Sequence, residues 1–307
     1  MAFAFTGGSR ARAYDVTYTV LIGFILVIVL PFALLTLVKI KSGKDPARKF
    51  VPWLKAAFSV FTIALCLLVA QGVLYTYEIH SDASWFHVIR AARHVGYLAE
   101  FLRSVSASLV MMMLLTLGPD MHHVIEGVSS TFNKALVSIA HLLNVVTIAL
   151  AFAYYGLSVD FEENYIGISG VVYNQKRGAA AERVRTINQL LGATAIILWV
   201  ASLVTTGLSF LFLQRRWLSL KSVPSLYLVA SLLNLLSSTW NFTYAVKWLL
   251  QWDRERGQDS YVLILQTILG WWSRGALLIV AYFIAVKTRS GDGVWFHNGK
   301  NHDGSRV

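Results

Sequence analysis

Val16 to Val38 runs for 23 residues without a charged side chain, and six more stretches of similar length and apolarity follow it. At about 1.5 Å of rise per residue, a helix of that length crosses the roughly 30 Å hydrocarbon layer of a bilayer. Backbone polar groups in lipid must be satisfied within their own segment, and a helix does this. The chain therefore reads as an all-α, seven-transmembrane helix bundle. Its spans are Val16–Val38, Trp53–Thr76, His87–Leu117, Asn133–Tyr155, Thr186–Leu213, Pro224–Leu250 and Tyr261–Val286. Composition agrees, because 56% of the residues are hydrophobic and only 14% are charged. One organisation follows: a short tail over 1–14, the seven-helix domain over 15–288, and a Gly-, Asn-, Asp- and His-rich C-terminal tail over 289–307 that is expected to be disordered.

Charge at the segment ends sets the expected orientation. Lys39, Lys41, Lys44, Arg48 and Lys49 follow the first span, against Arg10 and Arg12 before it. The positive-inside rule then places the N-terminus out and the C-terminus in, and the Arg215–Lys221 loop agrees. Lys176, Arg177, Arg183 and Arg185 in the long fourth connection count against it. Residues 1–14 lack a cleavable signal pattern, so the first span is expected to direct insertion. The localisation expected is multi-pass, in the plasma membrane or an endomembrane. The formal net charge of +11 sits in loops and tails, where it suits anionic lipid and not nucleic acid.

Punctuation within the chain yields further expectations. Gly118, Pro119 and Asp120 are expected to stop the third span, because proline removes a helix hydrogen bond. The connection Gly156 to Val184 holds Asp160, Glu162 and Glu163, then the alternating run from Tyr165 to Tyr173, which reads as a short hairpin or an irregular loop. Cys66 is the one cysteine, so no intramolecular disulfide forms.

Candidate chemistry concentrates on the third span. His87, Arg90, His94, Tyr97 and Glu100 recur at steps of three or four and share one helix face, followed by Ser104 and Ser108. Such a stripe is too costly to face lipid and is expected to face the interior. Arg274 lies near the middle of the seventh span, where a lipid-facing charge costs about 2.5–3.5 kcal/mol or more. Glu100 is the acidic residue that reads as intramembrane. The expectation is that Arg274 pairs with Glu100 directly or through a ligand, with Arg103 competing for the carboxylate three residues along its own helix. The structural alternative is a staple between the third and seventh spans.

Asn188, Gln189, Asn241, Lys247 and Gln266 also belong to outer halves of spans, and Trp240, Trp271 and Trp272 would rim the resulting basic pocket. Indole faces with a few polar groups suit a small amphipathic or anionic ligand. Trp248 and Trp252 read instead as interfacial belt residues. No cofactor is expected. His80, His87 and His94 repeat every seven residues, about 10 Å apart along a helix, too far to share one ion. No lysine lies in the seventh span before Lys287, which argues against a Schiff-base chromophore.

The ligand-binding residues expected are thus His87, Arg90, His94, Tyr97, Glu100, Arg103, Asn188, Trp240, Asn241, Gln266, Trp271 and Arg274. The function expected is that of a receptor-like binder in the outer half of the bundle, with the Arg215–Lys221 loop touching a cytosolic partner. An intramembrane enzyme acting on a lipid or isoprenoid-like substrate is the second reading, and a small-solute transporter the third.

Overall fold

The computed structural model describes residues 9–40, 48–78, 85–126, 131–166, 176–214, 222–250 and 261–287. Its helices are α1 (Ser9–Lys39), α2 (Val51–Glu78), α3 (Trp85–Glu126), α4 (Thr131–Tyr165), α5 (Arg177–Gln214), α6 (Ser222–Tyr244), α7 (Tyr261–Leu265) and α8 (Ser273–Lys287). A π-helical segment, Ala245–Leu249, continues α6, and a second, Gln266–Trp272, joins α7 to α8 into one span. Seven helices among the described residues are long and apolar enough to cross a membrane. The protein is nearly all helical and is a multi-pass integral membrane protein.

The outer surface is apolar where that of a soluble bundle is polar, and the interior mixes an apolar core with buried hydroxyls. Val27, Val38, Leu142, Val145 and Phe152 are exposed, while Ser106, Ser108, Thr147, Ser202, Thr205 and Ser209 are buried. In hydrocarbon the apolar face costs nothing to expose, and polar groups turn inward for partners. Many hydroxyls donate to the carbonyl one turn back, as Thr36, Ser104, Thr147 and Thr194 do. Ser108 instead reaches across to Asn144 Oδ1 of α4 at 2.6 Å.

Helix α3 is the axis of the bundle. Within its apolar window 78% of residues are buried, against 22% in α4. Successive spans run antiparallel. Gln71 near the end of α2 meets Gly96 near the start of α3, where a Cβ would lie 2.3 Å from the Gln71 amide nitrogen. Without a Cβ, Gly96 leaves room for the amide end of the Gln71 side chain at that level. On the far side, Gly275 packs on Ile25 and Val29 of α1 and so closes the seventh span onto the first. Met111, Met112, Met113, Leu114 and Leu115 form a buried apolar stretch past the middle of α3, and its ion-pairing residues Arg90, Arg93, His94, Glu100 and Arg103 all lie before it.

Three expectations are corrected. Gly118 and Pro119 do not stop α3, which continues to Glu126 with Pro119 inside it. A proline breaks one hydrogen bond and one contact with the preceding turn, and packing of the buried turn around it outweighs that loss. The fourth span does not end at Tyr155: α4 runs on to Tyr165 and carries Asp160, Glu162 and Glu163 as helix residues. Helix α5 likewise starts at Arg177, so most of the long connection is helix extending past the apolar runs. The remainder of the alternating run, residues 167–173, lies outside the described residues. So do the Arg215–Lys221 loop, His80, Trp252 and the tail from residue 288.

Candidate polar cavity

At the end of the bundle where α1, α3, α5 and α7 begin, two ionic clusters join α3 to α4. Arg93 Nη1 meets Glu162 Oε1 at 2.9 Å, and Tyr97 donates to Glu162 Oε2 at 3.2 Å. One turn outward, Arg90 pairs with Glu163, and His94 Nε2 lies 3.2 Å from Glu163 Oε1. The adjacent glutamates thus divide: Glu162 is buried and Glu163 is half exposed. Arg183 of α5 closes the group on Asp160 at 2.8 Å.

Deeper along α3 lies the third cluster. Arg103 Nε donates to both oxygens of Glu100, at 3.0 and 2.9 Å, and its Nη2 also contacts Oε1. Its Nη1 donates to Asn241 Oδ1 of α6 at 3.0 Å, and its guanidinium lies 5.8 Å from the Trp271 ring centre. Glutamate three residues before arginine on one helix makes this local pair geometrically easy. Arg274 follows the π-helical turn of the seventh span and is 4% exposed. It donates to the Arg103 carbonyl at 3.3 Å and, at the limit of hydrogen bonding, to Ser237 Oγ at 3.5 Å. Among the described residues no carboxylate forms an ion pair with Arg274. The expected direct pair between Arg274 and Glu100 is therefore replaced: Arg103 holds the carboxylate because its tether is three residues long, and Arg274 comes alongside.

Two small cavities meet here. The first, about 80 Å³, is lined by polar and aromatic groups that include Tyr18, Gln71, Arg93, Tyr97, Gln266 and Trp271. The second, about 40 Å³, lies among α3, α5 and α6 and is bounded by Arg103, Asn241 and Arg274 on one side and Leu191, Ala195 and Leu198 on the other. Glu100, Leu191 and Tyr244 belong to both. The first has room for several water molecules, whereas pockets for drug-sized ligands are several times larger.

Of the twelve residues expected from sequence, Tyr97, Glu100, Arg103, Asn241, Gln266, Trp271 and Arg274 converge on these cavities. Trp240 supports them from behind by donating its indole N–H to Gln266 Oε1 at 2.8 Å. Arg90 and His94 belong to the exposed Glu163 cluster instead. His87 is exposed, and Asn188 is half-buried on α5 without lining either cavity. Glu162, Arg93, Tyr18, Gln71 and Tyr154 enter the site without having been foreseen. The one legible clue was that Asp160, Glu162 and Glu163 fall three or fewer residues apart, directly after an apolar helix that could simply continue. Both π-helical segments border the cavities, and such turns recur at functional sites. In comparisons with protein-family models, curated proteins and solved structures, nothing matches this chain.

Proposed function

We propose that this membrane protein is a receptor-like binder of a small amphipathic or anionic ligand, held in the cavities around Glu100, Arg103 and Arg274. In this reading the N-terminal half of α3 lies toward the outer face of a plasma or internal membrane. The observation that carries the reading is Arg274, a guanidinium almost fully removed from solvent that forms no ion pair with a carboxylate among the described residues. Within the deep cluster two arginines face one glutamate. A buried uncompensated charge is costly, and a bound anion would balance it.

The enzyme reading is weaker because it needs a free acid or base. Both oxygens of Glu100 are engaged by Arg103, and Glu162 is held by Arg93 and Tyr97. Transport is disfavoured by the buried run Met111–Leu115, which fills the opposite half of α3 with apolar packing. Native mass spectrometry of gently purified protein is the test. A retained small mass on the wild type that is absent from Arg274→Gln supports binding. A bare wild-type protein whose melting temperature is unmoved by any anion tried overturns it.

A further inference from the structure

The two cavities differ in what they offer, and the difference narrows the ligand class. Arg274 borders only the second cavity, between α3, α5 and α6. One side of that cavity's wall is apolar, with Leu191, Ala195 and Leu198 of α5 and Ala245 and Leu249 of the π-helical turn after α6, while Ser104 and Thr194 add hydroxyls beside the Glu100–Arg103–Asn241 cluster. A volume of about 40 Å³ accommodates a head group and excludes a body of any length. Anything larger must lie partly outside, and Leu191 and Leu198 of the cavity wall are half-buried, so each also reaches the surface of the bundle. On these segments Ile196, Val200 and Leu250 are exposed, and Leu250 lies over Gly192 of α5.

Charge fixes the head. Glu100 and Arg103 neutralise each other, and Arg93 and Glu162 do the same, which leaves one positive charge at Arg274. A single negative charge balances it, whereas a dianion would leave an uncompensated negative charge in the same buried place. A planar guanidinium with unused donors suits a carboxylate, which can accept two of them.

Resting on the ligand-binding reading above, we propose that Arg274 receives the carboxylate of a single-chain, monoanionic amphiphile whose hydrocarbon chain leaves the bundle along the α5–α6 seam. Head and chain are recognised by different walls of the same cavity, so neither alone binds well.

The test uses the full chain in nanodiscs of zwitterionic lipid with three probes: decanoate, acetate and decanol. Thermal melting and tryptophan fluorescence report binding. Decanoate is expected to raise the melting temperature saturably, with acetate and decanol at least about tenfold weaker, since each lacks one contact set. Arg274→Gln should weaken decanoate by about tenfold or more, and Ala195→Leu, which fills the apolar side of the cavity, should do likewise. If Arg274→Gln does not fold, Arg274→Lys serves in its place, keeping the charge and losing the two-point geometry. Acetate binding as tightly as decanoate overturns the amphiphile assignment and leaves the anion site standing. Decanol binding as tightly as decanoate overturns the role of Arg274. Binding of decanoate undiminished in both variants overturns the location, and no response to any probe overturns this proposal; only the further failure of every other anion tried would remove the reading it rests on.

Discussion

Arg93 of α3 and Glu162 of α4 form an ion pair at 2.9 Å in which the glutamate side chain is 3% exposed. One residue further along, Glu163 makes its own pair with Arg90 while remaining 46% exposed. The same chemistry thus occurs twice on one pair of helices, once dry and once wet. The environment decides what each is worth.

Glu162→Gln should therefore destabilise the protein by about 3 kcal/mol, the lower end of the range for breaking a buried pair, because Arg93 retains some contact with solvent. Glu163→Gln should cost less than about 1 kcal/mol, and that loss should shrink further in high salt. Thermal melting of the two variants side by side checks this. Equal losses would mean that the α3–α4 clusters are not divided by burial.

Glu100→Gln removes the one carboxylate of the deep cluster and leaves Arg103 and Arg274 as neighbouring uncompensated charges. A loss of about 3–5 kcal/mol is expected. Adding Arg274→Gln to that variant should recover part of it, because one of the two repelling charges is gone. A double-mutant cycle of melting temperatures gives the sign of the coupling directly.

Arg274→Gln alone leaves the Glu100–Arg103 pair intact and removes a desolvated charge held by two long hydrogen bonds. Ligand-free protein carrying it should melt no lower than the wild type, since buried charges without good compensation do not stabilise a fold. A large loss of stability would instead identify Arg274 as a packing staple between the third and seventh spans.

Gly96→Leu should force the Gln71 side chain out of its place at the edge of the first cavity, because even a Cβ lies 2.3 Å from the amide nitrogen. The cost expected is about 1–3 kcal/mol of overpacking. Cysteine accessibility at Gln71→Cys, labelled with a small thiol reagent in the presence and absence of Gly96→Leu, checks whether that side chain has moved.

Residue order and hydropathy by themselves were enough for the class of fold. A bilayer imposes one length and one polarity on any helix that crosses it, so seven spans can be counted from local windows without knowing how they pack. The inward bias of the polar stripe on α3 followed too, since lipid penalises Glu100 and Arg103 wherever they point outward. What local windows could not supply was the identity of each charge's partner. Glu162 looked like a loop residue because its helix leaves the apolar run before it ends, and only the antiparallel packing of α4 on α3 turns it toward Arg93. Arg274 was legible as a buried charge, but its neighbours depend on the tilt of three helices and on a π-helical turn that shifts the register of the seventh span. Those are consequences of many side chains packing together. Tertiary structure alone decided that Arg103 takes the Glu100 carboxylate and that Arg274, bordering the same cavity, forms no ion pair with it.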